Sequence, residues 1–350
     1  MSLVVQGLGR HAKRYAFGSA AIALHSSAAS AAAPLSYLQS FGPKADSILG
    51  LTLWMLAVSI VVTVVMTALV LWAIFRRRTP EETQNVEGVH PESRPVNNWR
   101  VFGLGLTLTV LVLIGSVVWT MVTLAAIDRP GTEPALSIEV TGQQWWWKVQ
   151  YLSDKPSQVF DTANEIHIPT GEPVKVALRS QDVIHSFWVP ALSGKTDLIP
   201  GQVNTTWIEA KEPGVYIGQC TEYCGLQHAH MALRVVAEPP DKFEAWRNEQ
   251  LKSAEPPKTD DVKAGLVVFE RRCGACHTVR GTTAGGAYGP DLSHLMTRAT
   301  LADGTIPNAG GYLAGWIADP QHVKPGTRMP RVALSGQELQ AVTAYLRTLH

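Results

Sequence analysis

Two long stretches without any charged residue constrain this chain more than any other feature of its sequence. They cover residues 47–75 and 101–127 and are rich in Leu, Val, Ile and Trp. About 20 apolar residues cross the hydrocarbon core of a bilayer, so each stretch is long enough to span it with some tilt. Two buried helices of a soluble protein are the alternative, but neither stretch has a polar face. The sequence therefore predicts a transmembrane helix hairpin within residues 34–128.

Arginines beside the two stretches predict how the hairpin is oriented. Three arginines at 76–78 directly follow the first stretch, and Arg94 and Arg100 precede the second. Positively charged residues stay on the cytoplasmic side of a membrane. The loop between the spans is therefore predicted to lie inside. Everything after residue 127 is predicted to lie outside, on the periplasmic side of a bacterial inner membrane.

Residues 1–33 have the features of a signal peptide. Arg10 and Arg14 belong to a basic start, 15–24 is a short apolar core, and 26–33 is a run of small residues of the kind that signal peptidase cleaves. A disordered tail of Ala and Ser is the alternative. A cleaved signal would leave the mature N-terminus on the same outer side as the rest of the chain.

After the second span the pattern changes to short runs rich in β-branched and aromatic residues. Turn sequences separate them at 169–171, 200–201 and 212–214. Several short strands at this spacing predict a β-sandwich or barrel over residues 129–238. A short helix and a Pro-containing linker are expected over 239–261, followed by a helical unit over 262–350. The chain is thus predicted to be a multidomain, membrane-anchored protein.

The four cysteines form two close pairs, Cys220 with Cys224 and Cys273 with Cys276. A secreted disulfide scaffold would scatter its cysteines and carry more of them. Each pair here is followed by a histidine. Two tight pairs with a histidine indicate two separate cofactor sites.

The first pair belongs to a loop that offers sulfur and imidazole donors at short spacing. Thiolate and thioether ligands select reduced copper, and imidazole suits both copper states. Two thiolates on one loop can each bridge two copper ions, and each ion then needs one imidazole and one weak axial ligand. The predicted set is Cys220 and Cys224 as bridges, His185 and His228 as imidazoles, and Met231 and the backbone carbonyl of Glu222 as axial ligands. His185 is expected at the end of a β run.

Other uses of these residues remain open at this point. Two cysteines and two histidines could bind zinc tetrahedrally, although zinc would have no use for Met231. Cys220 and Cys224 could form a disulfide in an exported domain. His230 is an additional imidazole beside His228, and we interpret it as a residue outside the site.

Further motifs around this loop extend the argument to a family. They are His-Ser-Phe-Trp-Val-Pro at 185–190, Lys-Thr-Asp-Leu-Ile-Pro-Gly at 195–201 and Gln-Trp-Trp-Trp at 144–147. With the cysteine loop, they make residues 40–240 resemble subunit II of cytochrome oxidase, with its binuclear copper centre, CuA. The chain departs from that family before Trp99, where 95–98 contain no glutamate.

The resemblance implies several properties of this chain. The β-domain should have the Greek-key cupredoxin fold, and the Glu222 side chain should help to bind magnesium at the interface with subunit I. Trp145 should lie at the surface where electrons enter, although aromatic residues are also common in sandwich cores. Implied partners are oxidase subunits I and III, the lipid bilayer and an external donor such as a soluble cytochrome c.

The second cysteine pair forms the c-type haem attachment motif Cys273-Gly-Ala-Cys276-His277. The two thiols add to the haem vinyl groups and the His277 imidazole binds the iron. Residues 258–350 resemble class I cytochrome c, an all-α fold, which implies that the Pro290 carbonyl orients His277. Met329, in a Gly-Thr-Arg-Met-Pro turn, is predicted to be the second axial ligand, with Met296 and His322 as alternatives.

The two soluble regions carry opposite net charges. Residues 129–238 contain eight Lys and Arg against twelve Asp and Glu, a net −4, whereas 258–350 contain ten against seven, a net +3. Complementary charge favours encounter and orientation, and the linker makes the encounter intramolecular. We therefore expect electron transfer from haem c to CuA within one chain, with a rate that salt lowers less than it would between free partners.

The sequence as a whole predicts the electron-entry subunit of a terminal cytochrome c oxidase, whose subunit I reduces oxygen to water. The chain has too few spans to hold the oxygen-reducing centre itself. A nitric-oxide reductase subunit with a CuA centre and a membrane-tethered electron carrier without a catalytic partner are the alternatives. A net charge of +1 and the lack of basic runs with interleaved aromatics argue against nucleic acid binding.

Overall fold

The computed structural model describes residues 35, 37–76, 99–309 and 311–350. Two long helices, α1 (Pro43–Phe75) and α2 (Trp99–Asp128), contain the predicted spans. Among the residues that the structure describes, none buries the most apolar window of either helix. The alternative of two buried helices in a soluble protein is therefore wrong. The predicted signal peptide at 1–33, Arg94 and the arginines at 77–78 lie outside the described residues.

The two helices pack as a hairpin whose outer end is attached to the β-domain. Trp54 donates an indole hydrogen bond to Ser116 across the hairpin at 3.2 Å. At the outer end, the Trp207 indole donates to the Ile127 carbonyl at 3.0 Å. Before α1, the Phe41 amide donates to the Ala191 carbonyl at 2.8 Å. The β-domain is thus hydrogen-bonded to both outer ends of the hairpin.

Ten strands between residues 136 and 238 form two five-stranded sheets. They are β1 (Leu136–Gln143), β2 (Trp146–Tyr151), β3 (Phe160–Ala163), β4 (Glu165–Pro169), β5 (Val174–Ser180), β6 (His185–Trp188), β7 (Thr196–Leu198), β8 (Asn204–Ile208), β9 (Gly214–Cys220) and β10 (Ala232–Glu238). Buried and less buried residues alternate along β1, β2 and β10, as expected when one face of a strand packs into a sandwich core.

The strand order is β3-β2-β1-β5-β8 in one sheet and β4-β10-β9-β6-β7 in the other. Antiparallel neighbours dominate, but β1 pairs with β5 and β10 pairs with β4 in parallel. These parallel pairs require the chain to cross between sheets, which gives the Greek-key connections of a cupredoxin. The predicted fold class of this domain is confirmed.

One strand boundary differs from the prediction. His185 was expected at the end of a β run, but it is the first residue of β6. The preceding residues form a turn in which the Asp182 carboxylate accepts hydrogen bonds from the Gln144 and Val183 amides, at 2.8 Å each. This turn ends the previous strand and begins the next one at the histidine.

After β10, α3 (Pro240–Gln250) packs Phe243, Trp246 and Leu251 against the sandwich core. The helical unit that follows has its own core. Its helices are α4 (Asp260–Arg272), α5 (Gly311–Ala318), α6 (Pro320–Val323) and α7 (Gly336–Leu346). A Cβ atom on Gly265 would lie 2.1 Å from the Ala341 carbonyl oxygen, so α4 and α7 cross at a point where only glycine fits. The helical fold predicted for this unit is confirmed, with the addition of one small antiparallel sheet formed by Thr300–Leu301 and Ile306–Pro307.

Candidate metal centres

The cysteine loop connects two neighbouring antiparallel strands and returns on itself. Cys220 is the last residue of β9, and its amide donates to the Met231 carbonyl at 3.0 Å just before β10 begins. Between them, His228 begins a short 3₁₀ turn. The pairing of the strands thus closes the base of the loop and brings its donors to one end of the sandwich.

The structure brings all six predicted copper donors together. The Cys220 and Cys224 sulfurs are 3.8 Å apart. The remaining distances are Cys220 Sγ to His185 Nδ1 3.9 Å, Cys220 Sγ to the Glu222 carbonyl 3.3 Å, Cys224 Sγ to His228 Nδ1 3.5 Å, and Cys224 Sγ to Met231 Sδ 3.8 Å. Each sulfur of the pair therefore has one imidazole and one weaker donor beside it.

This donor set distinguishes between the candidate uses of the loop. A disulfide needs sulfurs about 2.05 Å apart, and both thiols are free at 3.8 Å. The Met231 thioether within the cluster fits a copper pair but has no role in tetrahedral zinc. His230 points elsewhere, with Nδ1 2.7 Å from the Gln227 side-chain oxygen. The arrangement fits two copper ions bridged by two thiolates.

Contacts within the cluster change the acidity of its members. Hydrogen bonding from Cys224 and His185 lowers the pKa of Cys220 to about 4, although burial opposes the shift. The same sulfur pair, together with burial, raises the pKa of Cys224. Metal binding requires both thiols to lose their protons, and the contacts around Cys220 favour that loss at one of them.

His185 is oriented by the turn that precedes it. Its Nε2 lies 2.8 Å from an Asp182 carboxylate oxygen, so the imidazole donates there and presents Nδ1 to the sulfurs. Burial opposes protonation of His185, but the bonds to Asp182 and Cys220 outweigh it and raise the pKa. A Cβ atom on Gly142 would lie 2.8 Å from the ring, so glycine there leaves room for the histidine. A carboxylate behind a ligating histidine fixes its tautomer and orientation.

Trp145 lies directly over the cysteine loop. Its indole N–H donates to the Cys224 carbonyl at 3.0 Å, and the Gln144 side-chain amide donates to the same carbonyl at 2.8 Å. The residue is only 7% exposed. Its outer side is covered by the helical unit, in which Gly326 approaches the indole ring. The predicted electron-entry residue is therefore next to the copper donors but is not open to solvent.

The Glu222 side chain points away from the copper donors. One carboxylate oxygen lies 3.9 Å from the Lys195 ammonium, which also pairs with Asp197 at 2.9 Å. Both acidic side chains are accessible. In this structure the cationic group beside both carboxylates is the Lys195 ammonium.

The haem attachment residues lie at the end of α4 and in the loop after it. Cys273 caps the helix, and His277 Nδ1 lies 2.8 Å from the Pro290 carbonyl, as the resemblance to class I cytochromes implied. That bond leaves Nε2 available as an axial ligand. A Cβ atom on Gly289 would lie 2.5 Å from the imidazole. Burial lowers the pKa of His277, which keeps the imidazole neutral for binding iron.

The candidates for the second axial ligand differ in their surroundings. Met329 is half-buried in the turn after α6, and its carbonyl accepts a hydrogen bond from the Gln321 side chain at 2.9 Å. Met296 packs against the core of the helical unit. His322 is exposed, and its amide donates to Asp319 at the start of α6. The structure thus gives Met296 a packing role and leaves Met329 as the methionine of an accessible turn.

Sequence reasoning missed several residues around these sites. Asp182 contacts His185 and Lys324 contacts Trp145, yet both are distant from the cysteines in the sequence, and the contact of Gln144 with the Cys224 carbonyl was not foreseen although its motif was. Asp182 alone had a local signal, since it precedes His185 by three residues in a polar turn. Lys324 lies in the other domain, so only the folded chain reveals its contact.

The fold and the sites define a membrane-anchored electron-transfer protein, with a copper-binding cupredoxin domain joined to a c-type cytochrome. Residues 136–238 match the family described as cytochrome c oxidase subunit II, periplasmic domain, and residues 262–350 match cytochrome c. The chain belongs to the cytochrome c oxidase subunit II family, in a form that carries a fused cytochrome c domain.

Two relatives that cover most of the chain support this assignment. Cytochrome c oxidase subunit 2 of Alkalihalophilus pseudofirmus is 34% identical over 320 residues, which cover 90% of this chain and 91% of the relative. That of Bacillus sp. strain PS3 is 31% identical over 79% of this chain and 80% of the relative. A crystal structure of the periplasmic domain of subunit II of cytochrome oxidase (CoxB) of Bradyrhizobium japonicum is 32% identical, covers 34% of this chain and 95% of its own, and has a TM-score of 0.31. The chain is thus part of an oxidoreductase complex, in the electron-entry role, and its two domains imply CuA and haem c.

Proposed function

We propose that this chain carries electrons from a periplasmic donor, such as a soluble cytochrome c, to subunit I of a terminal oxidase, where oxygen is reduced to water. When bound, haem c and the two-copper centre supply the one-electron carriers for this transfer, in that order. The cluster of two thiols, two imidazoles, a thioether and a carbonyl carries the proposal. This cluster can hold a pair of copper ions, and it leaves no free coordination position at which a substrate could bind.

For the copper centre we assign a role to each donor. Cys220 and Cys224 would hold both ions through their sulfurs, His185 and His228 would each hold one, and Met231 and the Glu222 carbonyl would be the weaker donors. Their support is the set of distances given above and the burial of both cysteines. Because the donors come from paired strands and one closed loop, they should move little when an electron is gained or lost. Such rigidity suits electron relay.

For the haem we assign covalent attachment to Cys273 and Cys276 and axial ligation to His277 and Met329. The Pro290 carbonyl holds the His277 ring in place through the 2.8 Å contact. Burial raises the pKa of the Cys273 thiol to about 11.

Several further assignments follow from the family. The Glu222 side chain would bind magnesium at the interface with subunit I, and Trp145 would lie on the route of the electrons into the copper centre. Subunit III would be a further partner. The chain would reside in a bacterial inner membrane after removal of the segment 1–33, with its soluble domains in the periplasm.

The deciding experiment combines metal analysis with spectroscopy of the purified oxidase complex. We expect two copper ions and one haem c per chain, a mixed-valence two-copper EPR signal and a low-spin haem c optical band. Zinc or no metal in the β-domain would contradict the proposal. Purification of the chain without a polytopic haem protein would favour a free electron carrier. Turnover with nitric oxide but not oxygen would indicate a nitric-oxide reductase.

A further inference from the structure

A buried lysine joins the cytochrome domain to the copper domain. Lys324, in the turn after α6, is 1% exposed. Its ammonium donates to two carbonyls of the copper domain, those of Trp145 at 2.7 Å and His230 at 2.8 Å. Within its own domain it contacts the Ala302 carbonyl at 3.3 Å and the Asp303 carboxylate. A buried ammonium is tolerated only when its donors are satisfied, so the copper domain supplies partners that this lysine needs.

The rest of the same turn also contacts the copper domain. The Gln227 side chain donates to the Pro325 carbonyl at 2.8 Å. Arg328 donates to Asp182 at 2.9 Å. A Cβ atom on Gly326 would lie 3.3 Å from Leu226 and 3.5 Å from the Trp145 ring, and its φ of +83° also favours glycine. The turn from Lys324 to Arg328 therefore lies flat on the copper domain.

The partners of this turn are the residues that hold the copper donors. Trp145 donates to the Cys224 carbonyl, Asp182 orients His185, and Gln227 directly precedes His228. On the cytochrome side the turn continues into Met329, and Gln321 fixes its shape through bonds to the Thr327 and Met329 carbonyls. One short turn thus connects the predicted axial ligand of the haem with the residues behind the copper ligands.

Among these contacts, Lys324 should contribute most to the docking of the two domains. Arg328 is 56% exposed on its side chain, and accessible ion pairs are weakened by water and salt. Lys324 is shielded from both, and it has two acceptors on the opposite domain. Asp303, buried beside it, depends on the same ammonium, because burial raises the pKa of this carboxyl to about 6 even though the contact with Lys324 lowers it.

We propose that Lys324 is a positioning residue that fixes the Met329 turn on the copper domain over Trp145, and that this docked turn closes the Trp145 surface to external electron donors. This inference rests on the proposed function for its consequence, intramolecular electron transfer, but the docking itself can be measured without it. An external donor would then have to deliver its electron to the cytochrome domain.

The test compares Lys324→Met with Lys258→Met in the full oxidase complex. Lys258 is 80% exposed and pairs with Glu255, so the control removes the same charge from the same part of the chain. Hydroxyl-radical footprinting reports side-chain exposure directly. We expect the modification rate of Trp145 to rise at least tenfold in Lys324→Met, because losing one partner of a buried, hydrogen-bonded charge weakens an interface by roughly thirtyfold or more. Trp147, which is fully buried in the sandwich core, serves as the internal control and should stay protected.

A second readout is the rate of flash-induced electron transfer from haem c to the copper centre. It should fall at least tenfold in Lys324→Met while the EPR and optical spectra of both centres stay unchanged. If that variant fails to fold because Asp303 is left buried and unpaired, the double variant Lys324→Met/Asp303→Asn removes the uncompensated carboxylate.

Protection of Trp145 and an unchanged transfer rate in a folded Lys324 variant would overturn this inference. Missing copper or haem signals in the unmodified complex would instead overturn the proposed function. Footprinting of Trp145 would still decide whether Lys324 docks the two domains.

Discussion

The copper and haem regions of this chain differ in how much of the site the protein builds by itself. In the copper region, all six predicted donors lie within 3.9 Å of a partner sulfur. In the haem region, His277 is oriented by Pro290, whereas Met329 is fixed through its backbone by Gln321. The polypeptide therefore brings all the predicted copper donors together. At the haem site it fixes the ring of His277, whereas Met329 lies on a turn that is held only through its backbone.

The difference follows from the size of what each site binds. A metal ion is small, so a few donors on paired strands and one loop can surround it. Haem is a large, mostly apolar body that contributes to the core of a small domain. The sandwich buries Trp147, Tyr151 and Phe187 in a core of its own. The cytochrome domain has a smaller core and should depend more on its cofactor.

The largest effect should come from removing haem attachment with Cys273→Ala/Cys276→Ala. We expect the cytochrome domain to lose its cooperative thermal transition, because the haem is part of its core, while the sandwich still unfolds cooperatively and keeps the two-copper EPR signal. Calorimetry and EPR on the same sample provide the measurement. A cooperative unfolding transition of the cytochrome domain without haem would show that this domain, like the sandwich, folds independently of its cofactor.

The reciprocal change, Cys224→Ser, should remove the copper centre and leave the fold. Mutation of a residue that only hydrogen-bonds to a metal ligand lowers metal affinity by up to roughly 100-fold. Loss of one of the two thiolate ligands should lower copper affinity by well over that amount. Oxygen consumption should fall with it, while the haem c spectrum and the sandwich transition remain. His230→Asn is the matched control, since its imidazole contacts Gln227 and not the cysteines. Loss of copper in the control would mean that the donor assignment is wrong.

A smaller effect distinguishes the two methionines of the cytochrome domain. Met329→Leu should lower the haem potential by on the order of 0.1 V, because methionine ligation raises it and axial ligands tune it over ~0.8 V. Met296→Leu should leave the potential unchanged and cost less than about 1.5 kcal/mol in unfolding free energy, as expected for a volume-conserving change in a core. Redox titration and thermal unfolding separate the two. A potential shift in the Met296 variant alone would reverse the assignment.

The smallest effect concerns the pH dependence of the copper domain. His167 stacks on Trp246 with ring centroids 4.0 Å apart and contacts Glu238 at 2.8 Å, and burial lowers its pKa below 6.5 despite that carboxylate. Because the unfolded chain then binds a proton that the folded chain does not, the domain should be fully stable above pH 6.5 and lose stability as the pH falls below it.

Melting temperatures between about pH 5.5 and 7.5 should therefore decrease towards acid, and less steeply in His167→Gln. The slope should persist after copper removal, since the pair belongs to the polypeptide. An identical slope in the variant would show that another group is responsible.

Local patterns made much of this molecule predictable from its sequence. The apolar stretches correspond to α1 and α2 within a few residues, since hydropathy is read directly along the chain. The spacing of Cys220, Cys224, His228 and Met231 identified a metal-binding loop because all four lie in one short segment of the sequence. The strands Phe160–Ala163 and Thr196–Leu198 were not predicted, because they are too short to show a periodic pattern and exist through pairing with β2 and β6.

Contacts between distant segments were beyond the reach of the sequence. Net charges of −4 and +3 predicted that the two domains attract, but not how they meet. In the structure, a single buried ammonium bonded to two backbone carbonyls lies at the centre of the contact. Carbonyls carry no formal charge, so no count of charged residues could have identified Lys324 or its partners.

The attachment of the sandwich to both ends of the membrane hairpin has a consequence for the path that electrons follow out of the chain. Trp207 holds the end of α2, and Phe41, before α1, is held by Ala191. Two anchor points resist tilting where one would act as a pivot, so the height of the copper donors above the lipid headgroups is set by the scaffold. The distance over which an electron reaches the copper donors should therefore fluctuate more than the distance from those donors to the bilayer, which the two attachments keep constant.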